Sequence, residues 1–209
     1  MSHQELSLIS PPLQPDLSLP TPLKLGVMAS GSGTNFEVLA EAIQARHLNA
    51  EVKVLIYNNP KAKVVERAQR YQVPCVLLDH RHHRNREAYD QIIVETLKEY
   101  GVEWVIMAGW MRIATSVFVQ AFPNRMINIH PSLLPSFPGI RAVEQALAAG
   151  VKVTGCTVHL VNEQVDSGPI LIQAVVPVVP GDTPESLHAR IQVQEHKILI
   201  EGIKLAASV

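Results

Sequence analysis

Short, continuously apolar runs alternate with amphipathic segments along the first half of the chain. The apolar runs predict buried strands, because they are brief and most of them end at Gly, Asn or Pro. The segments between them carry apolar residues three or four positions apart, which is the spacing of one helix face. The predicted strands are 24–29, 52–57, 75–78 and 104–108, and the predicted helices include Phe36 to Ile43, Val64 to Tyr71 and Glu87 to Tyr100.

Strands that alternate with helices form right-handed βαβ units and a parallel, twisted sheet. The pattern changes after a further apolar stretch at Met126-Ile127. Residues 153–161 and 170–179 are apolar runs joined by a short polar loop, which predicts an antiparallel hairpin. A last helix begins with Thr183 as its N-cap and Pro184 at its first position. The predicted fold is α/β and Rossmann-like: a mostly parallel twisted sheet flanked by helices, with antiparallel strands added in the C-terminal part.

The N-terminal segment lacks both periodicities. Residues 1–22 contain five prolines and show neither a helix nor a strand pattern. We therefore predict a flexible Pro-rich N-terminal tail over 1–22 and a single domain over 23–209. The total of 209 residues fits one domain with an extension.

Composition narrows the classes of function. The net charge is −1, which lacks the basic excess of a non-specific nucleic-acid binder. Cys75 and Cys156 each stand alone, so neither a disulfide framework nor a cysteine zinc site is indicated. No apolar run approaches the roughly 18 residues of a membrane span, and the N-terminus lacks the layout of a signal peptide. We expect a cytoplasmic protein that binds neither nucleic acid nor membrane.

A glycine-containing loop, Ser30-Gly31-Ser32-Gly33-Thr34-Asn35, separates the first predicted strand from the first helix. Backbone N–H groups at such a turn, with a helix N-terminus behind them, attract a phosphate. A dinucleotide site would want a third glycine where Phe36 stands and an acidic residue about 20 positions on. The second strand ends instead in Asn58-Asn59. A single phosphate fits better, although the glycines could also serve only a tight turn.

The segment Asn128-Ile129-His130-Pro131-Ser132-Leu133-Leu134-Pro135 closes the apolar run at Met126. Ligands of open α/β sheets bind at the carboxyl ends of the strands. Asn128 and His130 are two positions apart, so an extended chain points them to the same side. An amide donor and an imidazole suit acyl chemistry, in which one holds an oxyanion and the other handles protons. The alternative is an ordinary strand end with a hydrogen-bonded histidine.

Four further positions carry possible chemistry. Asp166 would favour the cationic form of a nearby histidine, although Asp-Ser-Gly is also a common turn sequence. His80 and His83 have metal-ligand spacing, but no cluster of Cys, Asp or Glu completes a site, so a solvated basic loop is the preferred interpretation. His159 lies within a predicted strand as a core histidine, on a side that could face the cleft.

Taken together, these segments resemble the folate-dependent glycinamide ribonucleotide (phosphoribosylglycinamide) formyltransferases of purine synthesis. The matching motifs are ordered and spaced as in that family and cover nearly all of residues 24–200. NIHPSLLP also occurs in other formyl-folate enzymes, whereas the glycine loop and two further segments point to the ribonucleotide enzymes. The motifs are SGSGTNF, REAYD, AGWMRI, NIHPSLLPSFPG, GCTVHLVNEQVDSGPI and QVQEHK.

The resemblance implies a reaction and a set of site residues. The formyl group of 10-formyltetrahydrofolate would pass to the amine of glycinamide ribonucleotide, in de novo synthesis of the purine nucleotide IMP, through a tetrahedral intermediate. Asn128, His130 and Asp166 match the catalytic trio. The ribonucleotide-binding matches are Gly33, Thr34, Asn35, Gln192, Val193, Gln194 and Glu195. The folate-binding matches are Arg86, Met111, Arg112, Ile113, Ala114, Asn128, Asn162, Glu163, Gln164, Val165 and Asp166.

The resemblance further implies no metal and no tightly bound cofactor, with the formyl folate consumed as a co-substrate. We expect a monomer or homodimer whose partners are these small molecules. One departure from the family is the stretch Ile140 to Val143, where a histidine-containing sequence is common. The rival functions are a formyltetrahydrofolate hydrolase, a transfer-RNA formyltransferase and a non-catalytic binder. The 22-residue tail is too short for the regulatory domain of the hydrolases, and the length and charge disfavour an RNA-binding domain.

Overall fold

The computed structural model describes residues 8–14 and 17–208. In these ranges eight strands form one sheet in the order β1-β8-β7-β6-β5-β2-β3-β4. The strands are β1 (Ile9–Ser10), β2 (Leu23–Ala29), β3 (Ala50–Tyr57), β4 (Cys75–Leu77), β5 (Trp104–Met107), β6 (Met126–His130), β7 (Val153–Leu160) and β8 (Ile170–Pro177). The helices are α1 (Thr34–Gln44), α2 (Val64–Arg70), α3 (Arg86–Glu99), α4 (Ser116–Ala121), α5 (Ala142–Ala148) and α6 (Pro184–Ala207), with a short 3-10 helix at His80–His82.

The predicted fold class is confirmed. Strands β2 to β6 pair in parallel, while β7 lies antiparallel to β6 and β8 antiparallel to β7. The carboxyl ends of β2, β5 and β6 therefore meet at one edge of the sheet, where open α/β folds bind ligands. The segments that follow these three strands build the candidate site.

Helices cover both faces of the sheet. Alternate residues of β2 show the division, since Leu25 and Val27 pack into the same core as Phe36 of α1, whereas Met28 packs into the core that contains Tyr89 of α3. Helices α1, α2, α5 and α6 contribute to the first core, and α3 and α4 contribute to the second. Because both faces are buried, the parallel strands are continuously apolar, which is the pattern that identified them in the sequence.

The N-terminal segment corrects one prediction. No strand is expected in residues 1–22, but Ile9–Ser10 pair antiparallel with Ala174 and Gln173 of β8. Two residues are too few to show an alternating pattern, and the open edge of β8 supplies the pairing. Further along, Leu19 is buried in the core, so the described part of this segment lies against the domain. Residues 1–7, 15 and 16 of the predicted tail, and residue 209, lie outside the described ranges.

Two short helices are not predicted from the sequence. Helices α4 and α5 contain six and seven residues, which is less than two helical turns. Their positions depend on contacts with other segments of the same chain. The Thr115 N–H just before α4, for example, donates to the Asp90 carboxylate of α3 at 2.6 Å. No helix in the described ranges has the length and apolar character needed to cross a bilayer.

Candidate active site

Strand β6 carries Asn128 and His130 to the carboxyl edge of the sheet. Both side chains line one cavity, as expected from their two-residue spacing. His130 is 5% exposed, so its imidazole lies in a site from which most water is excluded. The connection between β7 and β8 brings Asp166 over the end of β6, where it joins them.

The Asp166 carboxylate lies between the two other members of the trio. Its Oδ2 atom is 3.4 Å from Nδ1 of His130, and its Oδ1 atom is 3.4 Å from Nδ2 of Asn128. A shorter bond fixes the carboxylate, because the backbone N–H of Gly139 donates to Oδ2 at 2.7 Å. Asp166 has a φ of 50°, a left-handed conformation that aspartate tolerates in turns. The turn and the functional interpretations of this residue are therefore compatible.

The environment keeps Asp166 ionised. Burial alone would raise the pKa of this carboxyl group, but the hydrogen bond from the Gly139 N–H and the charge of His130 act in the opposite direction, and the pKa lies below its usual value. A carboxylate that stays charged beside a histidine favours the imidazolium form of that histidine.

Both ring nitrogens of His130 face acceptors. Nε2 lies 2.9 Å from the backbone carbonyl oxygen of Phe137, and Nδ1 faces the Asp166 carboxylate. A carbonyl or carboxylate oxygen can only accept a hydrogen bond. Each of these contacts can therefore be a hydrogen bond only if the ring nitrogen is the donor.

His159 is a fourth member of the cluster. It lies on β7, directly across from Asn128 in the antiparallel register, and is 2% exposed. Its Nδ1 atom lies 2.9 Å from the carbonyl oxygen of Leu160, so Nδ1 carries the proton. In the neutral ring Nε2 is then an acceptor, and it lies 3.0 Å from Nδ2 of Asn128. This bond orients the Asn128 side chain so that its NH₂ group also faces Asp166.

A cavity of about 680 Å³ opens in front of the cluster. This volume falls within the usual range for small-molecule sites. Its walls are mainly apolar, and the exposed side chains of Met111 and Ile140 stand at its edge. Arg86, Arg112 and Arg141 also line it, so the cavity suits an organic ligand with an anionic end.

The structure brings most of the predicted folate-binding residues to this cavity. The Arg86 guanidinium donates to the carbonyl oxygen of Ile113 at 3.0 Å, which ties the start of α3 to the segment after β5. The Arg112 guanidinium lies 5.3 Å from the ring centre of Tyr89. Glu163 does not line the cavity, because its carboxylate accepts from Gln120 instead. The predicted residues that do line it are Arg86, Met111, Arg112, Ile113, Ala114, Asn128, Asn162, Gln164, Val165 and Asp166.

The glycine loop lies beside this cavity. The Ser30 hydroxyl accepts a hydrogen bond from the backbone N–H of Met111 at 2.9 Å, and this bond joins the loop to the cavity wall. Gly33 has a φ of 75° and ends the loop as the residue before α1. A Cβ atom at Gly33 would lie 2.3 Å from Cγ2 of Val64. Glycine is therefore required here by the fold itself.

Helix α6 meets the glycine loop through two of its four predicted residues. Gln192 donates to the Thr34 hydroxyl at 2.8 Å, and Glu195 accepts from the Asn35 amide at 3.5 Å. Positions 192 and 195 share a helix face, whereas Val193 is 53% exposed and Gln194 is half-buried. The sequence segments 33–35 and 192–195, which are far apart in the chain, form one polar surface.

Glu195 has an unusual environment on that surface. It is 5% exposed, and burial raises the pKa of its carboxyl group to about 7, although the hydrogen bond from Asn35 acts to lower it. The Asn35 side-chain oxygen is also buried without a hydrogen-bond partner in the described structure. A pair of buried polar groups that is incompletely satisfied is a common feature of a ligand site.

The histidine-rich segment is held by contacts between residues that are close in the sequence. Asp79 caps the 3-10 helix at His80–His82 and also binds the Arg81 guanidinium, while the His83 ring packs 5.2 Å from that of Tyr89. Among the described residues, no group of three or more His, Cys, Asp or Glu side chains is arranged to hold a metal ion.

The family model described as formyl transferase matches residues 23–203. The chain belongs to the formyl transferase family. Its glycine loop, its β6 strand end and its α6 helix up to residue 203 all lie inside the matched range of the formyl transferase.

The relatives of this formyl transferase align with most of its residues. The phosphoribosylglycinamide formyltransferase of Bacillus subtilis is 42% identical over 174 residues, which are 83% of this chain and 89% of that protein. The human trifunctional purine biosynthetic protein adenosine-3 is 41% identical over 185 residues, which are 88% of this chain and 18% of the longer protein. The crystal structure of glycinamide ribonucleotide transformylase 1 from Symbiobacterium toebii has a TM-score of 0.88 at 45% identity and covers 91% of this chain and 90% of that one.

Sequence reasoning missed two contributors to the site and left the role of His159 open. His159 resembled a core histidine, because its strand is buried on both sides of it. The Phe137 carbonyl and the Gly139 N–H act through the backbone, which leaves no residue-type signal. The alternation along β7 was the one available signal, since it places His159 on the same side of the strand as Thr157, which faces the loop after β6.

Proposed function

We propose that the protein transfers the formyl group of 10-formyltetrahydrofolate to the amine of glycinamide ribonucleotide, a step of de novo purine biosynthesis. The observation that carries this proposal is the meeting of Asn128, His130 and Asp166 within 3.4 Å contacts at the floor of one cavity. Family membership and the names of close relatives support both substrates.

The proposed chemistry is direct acyl transfer. The amine nitrogen of the ribonucleotide forms a bond to the formyl carbon, and the formyl oxygen becomes negative in a tetrahedral intermediate. The bond between the formyl carbon and N10 of the folate then breaks. The amine gives up one proton and N10 gains one, so the products are the N-formyl ribonucleotide and tetrahydrofolate.

Asn128 and His130 stabilise the oxyanion in this proposal. Their short bonds, 3.0 Å from Asn128 to His159 and 2.9 Å from His130 to a backbone carbonyl, hold the two side chains in place. Their contacts with Asp166 are longer, at 3.4 Å each, and a substrate oxygen can take over those hydrogens. One well-placed donor contributes about 10²–10³ in rate.

Asp166 has two roles in the proposed reaction. Its ionised carboxylate sustains the positive charge of His130, which faces the developing oxyanion. It also accepts the proton of the attacking amine, through water, and returns a proton to the leaving N10 nitrogen. The depressed pKa of Asp166 fits an anion that is present throughout the neutral range.

The two substrates occupy adjoining regions. We assign the folate to the cavity, with its anionic tail at Arg86, and the ribonucleotide to the surface formed by residues 33–35 and α6. The bond from Met111 to Ser30 joins these regions, so the amine and the formyl group can meet in front of β6. The folate is a co-substrate that leaves after each turnover, and we propose a cytoplasmic location in keeping with relatives that act in purine biosynthesis.

The test is a turnover assay with three acceptors. The protein is mixed with 10-formyltetrahydrofolate and glycinamide ribonucleotide, and the absorbance of the deformylated folate is followed. We expect product formation that requires the amine and yields one formylated ribonucleotide for each folate consumed.

Three other outcomes separate the rivals. Deformylation without the amine would identify a formyltetrahydrofolate hydrolase, and formylation of an initiator aminoacyl-tRNA would identify the RNA enzyme. Binding of both ligands without any product would identify a non-catalytic binder. Each of these results contradicts the proposal.

A further inference from the structure

A buried hydrogen-bond network lies behind the loop that follows β6. Its centre is Thr157 on β7, which is fully buried, and Gln173 on β8. The register of the sheet aligns them with the catalytic strand, because His130 pairs with Thr157 and Thr157 pairs with Gln173. The network therefore stands next to the proposed catalytic histidine, and neither of its two side chains lines the cavity.

Every hydrogen-bonding capacity of the Thr157 hydroxyl is used. It donates to the carbonyl oxygen of Ser132 at 2.7 Å, and it accepts from the N–H of Leu134 at 3.1 Å and from the Gln173 amide at 3.0 Å. The same Gln173 amide donates to the carbonyl oxygen of Leu134 at 2.9 Å. Two side chains thus hold three backbone groups of the loop.

The loop in turn supplies two backbone groups to the catalytic cluster. The Phe137 carbonyl oxygen lies 2.9 Å from Nε2 of His130, and the Gly139 N–H donates to Asp166 at 2.7 Å. The Ser132 hydroxyl, which donates to the Ser136 carbonyl at 2.5 Å, links the anchored end of the loop to the end that meets the cluster.

The conformation of Phe137 shows why an anchor is needed. Its φ is 55°, a left-handed backbone conformation that costs about 1 kcal/mol or more for a bulky side chain. A free loop would relax from this geometry, and the Phe137 carbonyl would turn away from His130. The buried bonds to Ser132 and Leu134 oppose that relaxation.

We propose that Thr157 and Gln173 are positioning residues for formyl transfer. They hold the 131–139 loop so that its Phe137 carbonyl and Gly139 N–H orient His130 and Asp166. This inference rests on the proposed function of the trio. It adds that turnover depends on two side chains that do not line the cavity.

The network is separable from the stability of the sheet. Strands β6, β7 and β8 are joined by their backbone ladders, which do not involve these side chains. Removing the hydroxyl of Thr157 should therefore move the loop and leave the sheet intact. Thr154 provides a matched control, since it is buried on the same strand and its hydroxyl has no hydrogen-bond partner in the described structure.

The experiment compares Thr157→Val, Gln173→Leu, Thr157→Ser and the control Thr154→Val. We expect Thr157→Val and Gln173→Leu to lower kcat on the order of 10-fold to 100-fold, as small misplacements of catalytic groups do, with each KM within about twofold of wild type. Thr157→Ser keeps the hydroxyl and should stay within about threefold of the wild-type kcat. Thr154→Val should retain the wild-type kcat.

A second measurement does not depend on turnover. The imidazole resonances of His130, followed by NMR in the full-length protein, should shift in Thr157→Val and Gln173→Leu but not in Thr154→Val. Unchanged resonances and kcat in the first two variants would overturn the inference, and so would a loss confined to KM. If wild-type protein forms no formylated ribonucleotide, the proposed function fails, and the resonances alone then decide whether the pair positions His130.

Discussion

Nδ2 of Asn128 lies 3.0 Å from Nε2 of His159, across the antiparallel pair β6 and β7. The imidazole is itself fixed through Nδ1, which lies 2.9 Å from the carbonyl oxygen of Leu160. A buried histidine therefore decides which way the Asn128 amide points. The NH₂ group is directed to the site where we expect the oxyanion to form.

The first prediction concerns this orientation. His159→Leu removes the acceptor, so the Asn128 amide can rotate, and we expect kcat to fall about 10-fold to 100-fold with little change in the folate KM. His159→Gln can still offer a carbonyl oxygen and should retain more of the activity. Steady-state kinetics of both variants provide the check, and a fully active His159→Leu would show that Asn128 needs no such guide.

The second prediction concerns Arg86 at the edge of the cavity. Arg86→Ala should raise the folate KM about tenfold and leave kcat nearly intact, because a contact made equally in the ground and transition states affects binding alone. Arg84→Ala is the matched control, since Arg84 belongs to the same basic segment but does not line the cavity. A collapse of kcat in Arg86→Ala at an unchanged KM would contradict the assignment.

The third prediction concerns Gly33. Its φ is 75°, and a Cβ atom at this position would lie only 2.9 Å from Cα of Val64, so Gly33→Val must displace backbone. We expect a lower melting temperature, together with a KM for the ribonucleotide that rises about tenfold more than the folate KM. Gly31→Ala has open space around it and should melt near the wild-type temperature. Equal losses for both substrates in Gly33→Val would indicate that the glycine serves the fold alone.

The fourth prediction follows from the buried Glu195. Its carboxyl group keeps a proton up to a pKa of about 7 in the folded protein, whereas the unfolded chain releases it near the ordinary glutamate pKa of 4.5. The folded state thus binds more protons than the unfolded chain between these two pKa values. The contribution of Glu195 to the free energy of unfolding is therefore fully present below pH 4.5 and is lost as the pH rises through 7. The free energy of unfolding falls by on the order of 3 kcal/mol across this range.

The check is the melting temperature of the unliganded protein between about pH 5 and pH 8, the window that spans most of this titration. Glu195→Gln should flatten this dependence and melt above wild type at the alkaline end, because the amide cannot ionise. Glu99→Gln, an exposed position on α3, should follow the wild-type curve. A wild-type melting temperature that rises steadily over this range would show that Glu195 is already ionised at its acidic end.

The sequence predicts the parts of the site that depend on residue type and short spacing. Asn128 and His130 follow from a polar pair at the end of an apolar run, and their shared side follows from strand alternation. The edge strand Ile9–Ser10 and the short helices α4 and α5 are not predictable in this way, because their structure depends on contacts with segments that are distant in the sequence. The same holds for the Phe137 carbonyl, which is aimed by contacts that are distant in sequence.

The last prediction concerns the joint action of His130 and Asp166. Residues that act on one intermediate give non-additive losses when they are removed together. His130→Ala should abolish most turnover while both substrates still bind. Asp166→Asn keeps the shape of the side chain and removes the charge that the lowered pKa maintains, so it should lower kcat and change the pH profile.

The most direct test of the account is therefore kcat for His130→Ala, Asp166→Asn and the double variant, with substrate binding measured separately. We expect the double variant to be little worse than His130→Ala alone, because the carboxylate works through the histidine. Losses that simply multiply, or an Asp166→Asn variant with full activity and an unchanged pH profile, would contradict the proposal that the two residues form one catalytic unit.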